Sequence, residues 1–130
     1  MTDFENLEKY IETDIATIGL RKDGIVHVFY KMGVEVDQQA LNIMVDSINS
    51  FLPDGKYPFL VEADDFVSFQ EEGRKYMVEI ENKLPSTKNA LVLDNIGYQL
   101  IVKHFIANDK PKKDYNVFQD FDQATKWLLS

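Results

Sequence analysis

Cysteine is absent from this chain of 130 residues. Disulfides, thiolate nucleophiles and Cys-ligated zinc are thereby excluded. No apolar run approaches the roughly 18 residues that a membrane-spanning helix needs. The N-terminal stretch carries several acidic side chains where a secretory leader would be positive and then uninterruptedly apolar, so no leader is expected and a cytoplasmic location is. Glycine is sparse: Gly19, Gly24, Gly33, Gly55, Gly73 and Gly97 all stand alone. A phosphate-cradling loop needs clustered glycines between a strand and its helix, so P-loop and dinucleotide-binding motifs are missing. Only two histidines occur, His27 and His104, and no serine sits in a Gly-x-Ser-x-Gly elbow. A nucleophilic triad has no visible parts here, and His104 reads as a packed or half-buried side chain.

Basic residues are in deficit, with 14 Lys and Arg against 22 Asp and Glu. The deficit lies wholly in the first half, where residues 1–65 hold 13 acidic and 5 basic side chains. Phosphate neutralisation needs clustered lysine and arginine. The one basic cluster, Lys110, Lys112 and Lys113 with Lys103 before it, is interrupted by Asp109 and Asp114 and reads as a solvated loop. Nucleic acid is not an expected partner. The acidic half serves solubility or faces a basic partner.

What is present is a well-stocked core, with a hydrophobic fraction of 45%. One compact domain over 1–130 is expected, with 1–14 as an N-terminal extension or a lead-in to the first strand. Ile15–Arg21 and Ile25–Lys31 flank Lys22-Asp23-Gly24 and predict a β-hairpin. Leu7–Asp14 either extends the first strand or forms a short helix. Leu41, Met44, Val45, Ile48, Phe51 and Leu52 make one helical stripe, with Asp37 as N-cap and Pro53 as stop. Tyr57–Ala63 predicts a largely buried strand. Ser68-Phe69-Gln70-Glu71 fits a capping box opening a second helix, whose inner stripe is Gly73, Tyr76, Met77, Ile80 and Leu84.

Asn89–Leu93 predicts another buried strand, and Asp94 or Asn95 caps a third helix with Ile96, Leu100, Ile101 and Phe105 inward. Tyr115–Phe118 is a short strand, and Asp120 with Gln123 caps a last helix carrying Ala124, Trp127 and Leu128. The order β-β-α-β-α-β-α-β-α predicts an α/β fold: a mixed, mostly parallel five-stranded sheet with four helices.

Three stretches give this succession a family likeness: Leu20 to Val28 in the hairpin, Glu71 to Tyr76 opening the second helix, and Ala90 through Trp127 to Leu128. On these the chain resembles the SpoIIAA-like, or STAS, superfamily of anti-sigma-factor antagonists, and in particular its small stand-alone bacterial members without a settled activity. The resemblance implies a non-enzymatic regulatory module that docks another protein. In the antagonists a kinase phosphorylates a serine of an Asp-Ser-Ser-Gly motif at the start of the second helix. Aligned from Asp65 to Gly73, this sequence places Glu71 and Glu72 where the serines would lie, so that phosphoacceptor is missing. Acids in a first helical turn also complement the helix dipole without any switch.

Candidate partner-binding residues are therefore Asp65, Phe66, Ser68, Phe69, Glu71, Glu72 and Tyr98. Phe66 and Phe69 either tuck under the second helix or form an exposed apolar patch, and Tyr98 raises the same alternative on the third helix. Acidic residues end the strands at Asp64-Asp65, Asp94-Asn95 and Gln119-Asp120, where ligands of open parallel sheets bind. They read as helix caps rather than as cation ligands, and no catalytic residue, cofactor or metal is assigned. A homodimer is compatible with all of this. The alternative function is carriage of a small apolar or lipid-like ligand in a cavity lined by Phe, Met and Ile.

Overall fold

The computed structural model describes residues 7–130, and its six strands form one sheet in the order β1-β2-β3-β4-β5-β6. β1 (Leu7–Glu12), β2 (Ala16–Arg21) and β3 (Val26–Tyr30) form an antiparallel meander. β4 (Tyr57–Ala63), β5 (Ser86–Val92) and β6 (Asp114–Phe118) continue it in parallel with β3. The helices are α1 (Gln38–Phe51), α2 (Glu71–Ile80), α3 (Ile96–His104) and α4 (Phe121–Leu128). The α/β class is as expected, but the sheet has six strands, not five.

The additional strand is β1. Leu7–Glu12 is neither an extension of the next strand nor a helix, and the part of the 1–14 lead-in before Leu7 lies outside the described residues. Thr13 reverses the chain: its hydroxyl accepts from the amides of Ile15 and Ala16 at 3.2 and 3.0 Å. A Thr-Asp reversal carries neither glycine nor proline, so the sequence offers no strong turn signal there. The hairpin between β2 and β3 is the expected one, turned by Gly24 at a φ of 89°.

The sequential strand order fixes where the helices go. Right-handed crossovers from β3 to β4, β4 to β5 and β5 to β6 put α1, α2 and α3 on the same face of the sheet. That face carries Val26, Val28, Phe59 and Val61 against Leu41, Met44, Val45 and Ile48 of α1 and Ile80 of α2. α4 follows the last strand and returns under the other face, where Ala124 and Leu128 cover Ile25, Leu60 and Ala90. Because the order never reverses, the sheet lacks the topological switch point at which such folds open a ligand crevice.

α1 begins as its sequence dictates, with the Asp37 carboxylate accepting from the Ala40 amide at 2.9 Å. α2 does not. Its first residue is Glu71 and its N-cap is Gln70, which makes no side-chain cap bond. Ser68 lies two residues before that cap, in a short parallel bridge with Glu35, so the helix starts later than the capping box implies. α3 also differs in phase. Ile96 and Leu100 are 69% and 62% exposed, while Val102 and Phe105 are buried. Apolar residues lie on all sides of this helix, so periodicity leaves its rotation open. Asn95 sets it, accepting from the Gly97 and Tyr98 amides, together with the Gln99 amide nitrogen donating to Leu93 O at 2.7 Å.

Candidate functional site

The loop after β3 and the loop after β4 are zipped together at the carboxyl edge of the sheet. Gly33 N donates to Asp65 O at 3.0 Å, Ser68 N to Val34 O at 2.9 Å, and Val36 N to Ser68 O at 2.8 Å. Gly73 locks α2 onto this pair, because a Cβ there would overlap the carbonyl of Val36. A glycine in the first turns of a helix is otherwise a weak choice. Its reason is this close backbone approach.

On that rigid base Phe66 stands out, 79% exposed and at a φ of 63°. A left-handed backbone is a rare state for a bulky residue, because the Cβ crowds the following carbonyl. Phe69 takes the other course: it is half-buried, with its ring 5.6 Å from that of Phe105. The two alternatives for the phenylalanines thus divide between them. Tyr98, half-buried, donates to Asp64 O at 3.5 Å and ties α3 to the same loop. Asp65, Glu71 and Glu72 are exposed. Glu71 pairs with Lys75 at 2.9 Å, and that hydrogen bond, with the lysine charge, holds its carboxyl below the usual carboxylate range.

Ser68 belongs to the zipped backbone and not to a helix cap, which corrects the role expected of its hydroxyl. Met32, 61% exposed, lies in the partner loop, and Ile96 and Leu100 lie on the adjoining helix. Beside the zip a polar hollow is lined by Glu35, Asp37, Asp46 and Glu72, four carboxylates without a lysine or arginine. Of the strand-end acids, Asn95 and Asp120 are helix caps as expected. Asp64 and Asp65 are not: Asp64 accepts from the Asp65 amide at 2.7 Å. Among the described residues no three acidic or histidine side chains cluster to hold a metal ion.

Two buried polar arrangements escaped sequence reasoning. On the α4 face, His27 Nε2 and Glu62 Oε2 are 2.6 Å apart, and His27 Nδ1 has no hydrogen-bond partner. Alternation along Tyr57–Ala63 puts Glu62 on the side of Leu60, and a carboxylate inside a buried strand demands a partner. That was the available signal. Arg21 lies on the same side, donating to Asp23 at 2.7 Å and resting over the Phe121 ring. At the opposite edge, buried Glu81 accepts from the backbone amides of Lys112 and Lys113 and from the Tyr115 hydroxyl. The lysine loop is therefore folded onto a carboxylate. Lys113 itself donates to Leu84 O and Ser86 Oγ, and burial lowers its pKa. His104, expected to be packed or half-buried, is exposed, and its side chain and carbonyl are hydrogen-bonded to Asn108.

Residues 18–130 match the family model described as a domain of unknown function, DUF7793. The chain belongs to the DUF7793 family. No curated protein and no solved structure matches it. Among the described residues no helix is long and apolar enough to cross a membrane.

Proposed function

We propose that this DUF7793 domain is a non-enzymatic protein-interaction module of the SpoIIAA-like (STAS) kind, docking a partner through the carboxyl edge of its sheet. The observation that carries the reading is Phe66, a large apolar side chain held out in solvent by a backbone conformation that costs free energy. Met32 in the partner loop and Ile96 and Leu100 on α3 are further exposed apolar side chains, and Glu35 and Glu72 line the acidic hollow beside the zip. The partner is a protein that offers a pocket for Phe66 and lysine or arginine beside it. Glu71 and Glu72 stand at the start of α2 where the antagonists have serines, so docking needs no phosphorylation of those positions.

The test is capture from a native lysate on the immobilised chain. A stoichiometric partner should bind at moderate salt, weaken as salt rises, and be lost with Phe66→Asp. Phe69→Asp is the wrong probe, because Phe69 packs on Phe105 and its loss would disturb the core. Recovery of no protein, or of the same protein by Phe66→Asp, counts against the reading.

A further inference from the structure

The helical layer does not fill the sheet face beneath it. A cavity of about 120 Å³ remains among Val61, Leu91, Leu93, Met77, Ile101 and Phe105, and no charged side chain lines it. An apolar cavity of roughly 150 Å³ in another protein stays dry and takes up a benzene ring, so the space here suits a single ring. Four residues bring polar atoms to the apolar lining, Tyr30, Asn89, Tyr98 and Tyr115, and the Tyr98 hydroxyl already donates to Asp64 O. Asn89 is 4% exposed; its amide nitrogen reaches Asp114 O at 3.5 Å, and its amide oxygen has no partner among the described residues. The Tyr30 hydroxyl likewise has none among the described residues. Tyr115, on the same wall, donates its hydroxyl to Glu81 at 3.1 Å and is satisfied.

An amide or phenol on an otherwise apolar wall is a destabilising choice where leucine or phenylalanine would pack, unless a ligand or solvent in the cavity meets it. Asn89 stands in a strand that continues Ala-Leu-Val, so nothing in the local pattern calls for an amide. Burial also pushes the Tyr30 phenol up to about 12, which marks the cavity as a place hostile to negative charge.

We propose that this cavity binds a small neutral cyclic molecule carrying one hydroxyl, its ring against the apolar wall and its hydroxyl on the free polar groups of Asn89 or Tyr30. The cavity shares Phe69 and Tyr98 with the docking edge, but ligand uptake needs no partner there. A carboxylate ligand is disfavoured because no cation lines the cavity to pair with it. The test adds p-cresol, toluene and p-toluate separately to the whole chain and follows methyl resonances of Val61 and Leu91. p-Cresol should shift them and bind at least about tenfold more tightly than toluene, the equivalent of one buried hydrogen bond. p-Toluate should not bind. In Asn89→Leu or Tyr30→Phe, the preference for p-cresol should fall to about twofold or less. The proposal is overturned if no probe shifts the methyls, if toluene or p-toluate equals p-cresol, or if both variants keep the full preference. The comparison within the unaltered chain stands even if a variant fails to fold.

Discussion

Replacing Phe66 by glycine should make the protein more stable. The left-handed conformation costs a residue with a Cβ about 1–2 kcal/mol relative to glycine. Glycine gives back roughly 0.5–1 kcal/mol through the greater freedom of its unfolded chain. The ring is 79% exposed, so its removal forfeits little buried surface. The net expectation for Phe66→Gly is a gain of about 0.5–1 kcal/mol. For a chain of this length that corresponds to a rise in Tm of about 2–4 °C. Phe66→Ala keeps the Cβ and its strain, so it should stay within about 0.5 kcal/mol of the parent. Thermal and urea unfolding of the three proteins, at equal concentration, decide the matter. A Phe66→Gly protein less stable than the parent would refute the reasoning, because it would mean that the ring packs or that the backbone is relaxed.

Gly73→Ala should lower stability by about 2 kcal/mol or more in urea unfolding, since its Cβ meets the backbone of Val36 and not a yielding side chain; a neutral effect would show that α2 can lift freely. Glu62→Leu alone should cost about 3 kcal/mol, whereas His27→Phe combined with Glu62→Leu should recover most of it, because a buried pair is costly to break and cheap to replace entirely; additive losses would contradict this. Desolvation raises the pKa of half-buried Tyr30 from an ordinary value near 10 up to about 12, and raises that of half-buried Tyr115 too. Each is protonated in both states below pH 10, so neither affects stability there. Above it the unfolded chain loses protons that the folded chain retains, and stability falls as pH rises from 10 to 12. Alkaline titration followed at the phenolate absorbance should show two tyrosines that ionise at distinctly higher pH than the rest, and one in Tyr30→Phe.

The parts of the fold that could be read from sequence are those where one local signal acts alone. The α1 stripe with Asp37 and Pro53, the buried strand Tyr57–Ala63 and the hairpin at Gly24 are found where periodicity and turn chemistry put them. β1 was hidden because Thr13-Asp14 reverses the chain without a breaker residue. The start of α2 misled because Ser68 has every local feature of a cap, yet it is engaged in a bridge to Glu35, distant in sequence, and the helix begins only at Glu71. α3 is apolar on every side, and only its tertiary contacts choose which side faces in.

The same division applies to the candidate site. The segment Asp64–Phe69 was conspicuous in the sequence for two phenylalanines on a connection, but which of them faces solvent depends on the left-handed turn at Phe66 and on the ring of Phe105. A cavity lined by Phe, Met and Ile was conceivable from composition, but its place was not legible, since it is made by residues from four strands and three helices whose spacing encodes only burial. Asn89 was the one local irregularity, a polar side chain entering an apolar strand.

Partner capture by the Phe66→Gly protein is the most direct test of the docking edge. The account predicts that this variant, folded and at least as stable as the parent, no longer retains the protein that the parent retains in equimolar amount. Retention of that protein undiminished would contradict it.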